Sequence, residues 1–150
     1  MPRLGKFSWM VLAVAFAVGG PLAGCAEQST GSDAHLLAMA PLSQMPADIQ
    51  QAPVSVQAAY QFAVANPKVL AELPCYCGCG AVGHKSNYDC FVAGVDEDGT
   101  VTYDPHALGC SLCVDIAQDT MRLLRDGQGV PEARAYVDQT YARYGPSNRP

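Results

Sequence analysis

No stretch of this sequence is both long and apolar enough for a membrane-spanning helix. The longest apolar run, Trp9 to Val18, falls short of the roughly 20 residues that a hydrocarbon core of about 30 Å requires. Positive charge is also scarce. Nine Lys and Arg stand against 14 Asp and Glu, for a formal net charge of −5, which argues against nucleic acid as a partner and against polybasic attraction to anionic lipid. The constellations of hydrolytic chemistry are missing: no Ser/His/Asp arrangement, no paired carboxylates and no phosphate-cradling loop. The acids Asp96, Glu97 and Asp98 lack the loop length and closing glutamate of a calcium-binding hand and read as solvated turn residues. Cys-x-x-Cys-His is absent too, because Val114 follows Cys113, so covalent c-type haem has no attachment site. These absences favour a binding role over an enzymatic one.

What the amino end does have is Arg3 and Lys6, then the short apolar run, then Gly19-Gly20-Pro21. This is the order of a secretory signal: charged region, apolar core, helix-breaking end. Leu22-Ala23-Gly24-Cys25 follows and resembles the lipobox of bacterial lipoproteins. Residues 1–24 are therefore expected to be a signal peptide, with Cys25 the lipid-bearing first residue of a mature protein held on the extracytoplasmic face of the cell membrane. Several acyl chains hold a protein stably where one does not. Residues 25–54 are expected to be a flexible tether: Pro41, Pro46 and Pro53 lie among Ala, Ser, Gln and Gly, with few aromatics.

The folded domain is expected over 55–146, mainly α-helical with one short β-hairpin. A domain of roughly 90 residues has a marginal core, to which cross-links or metal would add. Ser55 can cap a helix reaching about Ala65, with Val56, Ala59, Tyr60 and Ala63 inward. Asn66-Pro67 restarts a short helix that ends at Leu73-Pro74. Residues 75–87 read as an irregular loop. Tyr88–Val95 and Thr100–Tyr103 read as strands joined at Asp96-Glu97-Asp98-Gly99. A helix from Ser111 to about Arg125 would bury Val114, Ala117, Met121 and Leu124, and stop at Gly127. Pro131 opens a last helix to Tyr144, with Val137, Thr140, Tyr141 and Tyr144 along one side.

The chemistry lies in cysteine. Seven are present. Setting Cys25 aside for lipid leaves Cys75, Cys77, Cys79, Cys90, Cys110 and Cys113. In an oxidising compartment an even number suggests disulfides, and six allow 15 pairings. The run Cys75-Tyr76-Cys77-Gly78-Cys79 points elsewhere as well. Adjacent members of a Cys-x-Cys pair make a strained ring with each other, while Gly78 and Gly80 let the backbone curl so that several sulfurs face one point. Cys110-Ser111-Leu112-Cys113 sits at a helix start, where the dipole and free N–H groups favour thiolate. His84 and His106 flank the thiols and could add imidazole ligands. Soft thiolates select Cu(I) or Zn(II) over hard cations.

Pro74-Cys75-Tyr76-Cys77-Gly78-Cys79 resembles the signature of the PCYCGC-motif bacterial (lipo)proteins. His84, Tyr88-Asp89-Cys90-Phe91, Asp104-Pro105-His106-Ala107 and Cys110-Ser111-Leu112-Cys113-Val114-Asp115 are similar to the same family. That resemblance implies a membrane-tethered extracytoplasmic domain whose shared feature is its cysteines. Leu123-Leu124-Arg125-Asp126-Gly127, Glu132–Val137 and Tyr141–Gly145 also look like the helical hairpin of the thiol reductase subunit of cytochrome c maturation. Three roles stay open: a soft-metal site built from the six thiols and the two histidines, a redox pair at Cys110 and Cys113, and a disulfide-stapled structural or interaction domain.

Overall fold

The computed structural model describes residues 36–149. The signal peptide and Cys25 lie outside the described residues. The chain runs through α1 (Ala47–Gln50), α2 (Val54–Ala65), α3 (Pro67–Glu72), β1 (Val92–Val95), β2 (Val101–Tyr103), α4 (His106–Gly109), α5 (Ser111–Arg125) and α6 (Val130–Tyr141). The described residues form a small helical domain with one antiparallel hairpin, as the sequence implies.

The core forms where α2, α5 and α6 meet. Tyr60, Phe62, Leu70, Phe91, Ile116, Met121 and Val137 are fully buried there. The α5 helix matches its expected bounds. Extended Cys110 precedes it, Arg122 and Arg125 occupy its last turn where the dipole favours cations, and Gly127 turns left-handed just beyond (φ 80°). Its buried stripe includes Val114, Ile116, Ala117, Met121 and Leu123, whereas Leu124, expected inside, is only half-buried. The α6 helix ends earlier than expected, at Tyr141, whose hydroxyl donates to Asp119 Oδ2 of α5 at 2.7 Å. Tyr144 lies in a following 3-10 turn and faces solvent.

Four local expectations are corrected. Residues 36–53 are part of the folded unit and not tether: Met45 and Ile49 are buried, and the segment is bonded to α2 through Ala40 N–H to Gln61 O (3.0 Å), Gln61 Nε2 to Ala40 O (2.8 Å) and Asn66 Nδ2 to Ala38 O (2.8 Å). This cover agrees with the burial of Phe62, which lies off the expected inner stripe of α2. Ser55 caps nothing; the helix begins two residues earlier than a cap at Ser55 implies, after Pro53, and Ser55 O instead accepts Gln118 Nε2 from α5 at 2.7 Å. Asn66 does not cap α3 through its side chain, which closes the end of α2 by donating to Phe62 O at 2.9 Å. Tyr88–Cys90 is a 3-10 turn and not strand, because Asp89 Oδ2 draws in the N–H groups of Lys85 (2.6 Å) and Ser86 (3.1 Å). The hairpin that remains pairs Val92 with Tyr103 and Val95 with Val101, and the Asp96–Gly99 turn joins it as expected, with Gly99 at φ 87°.

The burial of Ile49 carries an expected result. Ile49→Ala should destabilise the domain by about 2–4 kcal/mol in denaturant unfolding, the range for emptying a buried isoleucine site. A residue on a solvated tether would cost under about 0.5 kcal/mol.

Candidate metal centre

The loop after α3 places the triple-cysteine run. Pro74 and Cys75 are buried, Gly78 adopts a left-handed conformation (φ 84°), and a 3-10 turn over Cys79–Val82 returns the chain. The positive φ at Gly78, between Cys77 and Cys79, is a conformation that a side chain there would strain. Cys90 arrives from the Tyr88–Cys90 turn. His106 opens α4, its N–H held by Asp104 Oδ1 at 2.8 Å. Cys110 and Cys113 stand before and within the first turn of α5.

These residues form two adjoining groups. Cys77, His106, Cys110 and Cys113 each bring one ligand atom within 4.8 Å of the others. Cys77 Sγ is 3.4 Å from His106 Nε2 and 3.6 Å from Cys113 Sγ, which is 3.5 Å from Cys110 Sγ. In a tetrahedral zinc centre with Zn–S bonds of about 2.3 Å, neighbouring sulfurs are about 3.8 Å apart. The Cys77–Cys113 and Cys113–Cys110 pairs thus stand within a few tenths of an ångström of that spacing. Cys75, Cys79 and Cys90 form the second group under the same limit, and all three are buried. Cys90 Sγ lies 3.6 Å from Cys79 Sγ. All six sequence-predicted cysteines of the domain are brought together. They are free thiols, and no disulfide joins them.

The histidines part company. His106 belongs to the four-ligand group. His84 lies in neither: its Nε2 is 3.3 Å from Asp104 Oδ2, and its ring stands edge-on to His106 at 5.1 Å between centroids. Asp104 therefore holds both, one through the ring and one through the backbone. Its own carbonyl accepts the hydroxyl of buried Tyr60 at 2.7 Å, and its N–H donates to Phe91 O at 2.9 Å.

The sulfurs cannot all ionise side by side. Cys75 is drawn far below the ordinary thiol range, first by a hydrogen bond with Cys113 and then by one with Cys90, against its burial. Cys113 is pushed far up by its bonds to Cys75 and Cys90 and by burial. Cys77 and Cys79 are raised by burial and by the charge on Cys75. Cys90 is pulled down by its bond to Cys113, yet ends well above normal because its bond to Cys75, burial and the neighbouring thiolates outweigh that pull. These shifts favour thiolate at Cys75 and neutral thiol at the sulfurs around it. A bound cation reverses that balance, since ligating sulfur must be thiolate.

One contributor gave no sign in the sequence. Asn148 folds back over the loop: its Oδ1 accepts Cys75 N–H at 2.7 Å, its N–H donates to Cys75 O at 3.0 Å, and its Nδ2 reaches Ser86 O (3.2 Å), His84 O (3.3 Å) and Cys79 Sγ (3.5 Å). Gly145 makes that return possible, because a Cβ there would stand 2.9 Å from Tyr76 O. No local pattern marks a residue 73 positions away from its partner. Asn148→Ala should cost about 1–3 kcal/mol in denaturant unfolding, because Cys75 N–H loses its acceptor in a part-buried place. It should also weaken metal binding by about ten- to a hundredfold in a chelator competition, the usual effect of removing a group that orients ligands.

The fold and site together define a small helical domain whose thiols and one imidazole lie in two adjoining groups that could hold a metal ion. Residues 16–149 match the family described as proteins of unknown function with a PCYCGC motif, and the chain belongs to that family. No curated protein and no solved structure matches it. The likeness of the carboxyl-terminal helices to the thiol reductase subunit gains no support from these comparisons.

Proposed function

We propose that this chain is a lipid-anchored extracytoplasmic protein that binds a soft metal ion, Cu(I) or Zn(II), through its thiolates. The observation that carries the metal reading is the four-ligand group of Cys77, His106, Cys110 and Cys113, whose donor atoms all lie within 4.8 Å of one another. The number and type of donors suit a closed tetrahedral zinc site or a Cu(I) thiolate site. The signal-like segment and lipobox at Cys25 support the location, and the acidic charge is compatible with an anchor that relies on lipid and not on basic residues.

One measurement tests both parts. The full chain is extracted from membranes in detergent and its intact mass is recorded under native and denaturing conditions. A chain beginning at Cys25 with added acyl mass, and a further mass of zinc or copper lost on denaturation, is the expected result. A chain that keeps residues 1–24 would overturn the anchor. A chain that takes up neither metal with all its thiols reduced would overturn the binding role.

A second reading rests on the 3.5 Å between Cys110 and Cys113, which is close enough for thiol–disulfide exchange. It expects a Cys110–Cys113 disulfide whose potential lies within reach of cellular thiol donors. Failure of metal to protect these two thiols from alkylation would favour it.

A further inference from the structure

We infer that the two cysteine groups are one centre, holding two metal ions that share the thiolate of Cys113. This rests on the soft-metal reading above and extends it from an ion to a cluster.

The three-sulfur group lacks a fourth ligand. Cys75, Cys79 and Cys90 are each buried, so water does not readily complete the shell. A candidate donor borders the group at Cys75. Cys113 Sγ lies 3.4 Å from Cys75 Sγ, as close as any ligand pair within either group, and it is at once 3.5 Å from Cys110 Sγ and 3.6 Å from Cys77 Sγ. A sulfur at these distances from members of both groups stands on their common edge. One ion would take Cys77, His106, Cys110 and Cys113; the other would take Cys75, Cys79, Cys90 and Cys113. Both shells then number four, the preference of zinc with sulfur and nitrogen donors.

Cys77 also touches both groups, at 3.4 Å from Cys75 Sγ. Burial separates the two. Cys113 is fully buried, whereas Cys77 is half-open, and a thiolate between two cations belongs on the inside. Two divalent ions against six thiolates would leave two negative charges, toward which the N–H groups at the start of α5 and the Asn148 amide are placed.

Cadmium, a soft ion with zinc-like preferences, supplies the test. The full chain in detergent is loaded with cadmium-113, metal per chain is measured, and cysteine β-protons are correlated with the cadmium resonances by NMR. The expected result is two ions per chain and two resonances, with the β-protons of Cys113 coupled to both and those of Cys75, Cys77, Cys79, Cys90 and Cys110 coupled to one each. Cys110→Ser should then lose the ion bound with His106 and keep the other. One ion per chain would overturn the pair while leaving the metal-binding function intact. Two ions with no shared proton correlation, or with Cys77 as the shared residue, would overturn the role given to Cys113. No cadmium at all would overturn the pair together with the function on which it rests.

Discussion

Replacing Cys113 with serine should reduce zinc affinity by at least about a hundredfold, a loss of about 2.7 kcal/mol in binding. Serine keeps the shape and loses the soft donor, and its hydroxyl is a poor ligand for zinc or Cu(I). The position is central: Cys113 Sγ has three other sulfurs within 3.6 Å and its peptide oxygen accepts Asn87 Nδ2 at 3.2 Å. Competition against a chromophoric chelator measures the effect. Ser111→Ala, an exposed change two residues away, should leave affinity unchanged. An unaltered affinity in Cys113→Ser would place the metal elsewhere.

Phe91→Ala should give the largest loss of stability in the domain, about 3–5 kcal/mol, which is the range for emptying a buried phenylalanine site. Phe91 is fully buried and meets Tyr60 edge to face, with centroids 5.1 Å apart at 85°. Against a typical total of about 5–15 kcal/mol the metal-free protein should lose about a fifth of its stability or more, with its melting temperature falling by more than about 10 °C. The damage should reach the site, because Phe91 O holds Asp104 N–H and Asp104 anchors His106. Zinc should therefore raise the melting temperature of Phe91→Ala by less than that of the natural chain. Calorimetry with and without zinc measures both effects.

The cysteines were legible because their spacing is local and their chemistry is restrictive. Three thiols at alternate positions around glycine, and two at a helix start, leave few arrangements other than convergence. The histidines were not separable by that reasoning. His84 lies five residues from Cys79 and His106 four from Cys110, and only the fold turns one toward sulfur and the other toward Asp104. The long helices were legible from period and punctuation, with α5 running from Ser111 to Arg125 as expected. Composition misled at the amino end. Proline, alanine and glutamine over 36–53 look like a tether, yet Met45 and Ile49 supply enough apolar surface to dock on α2. The strand expected at Tyr88 gave way to a side-chain bond from Asp89, an interaction that periodicity does not register. Asn148 was out of reach because its partners are set entirely by tertiary folding.

The position of Asn148 also orders events in time. A chain is made from its amino end, so every thiol of the centre has been synthesised well before the residue that closes over Cys75 and Cys79. A chain that stops short of Asn148 is therefore expected to carry every sulfur of the two groups and still lack the contact that closes over them.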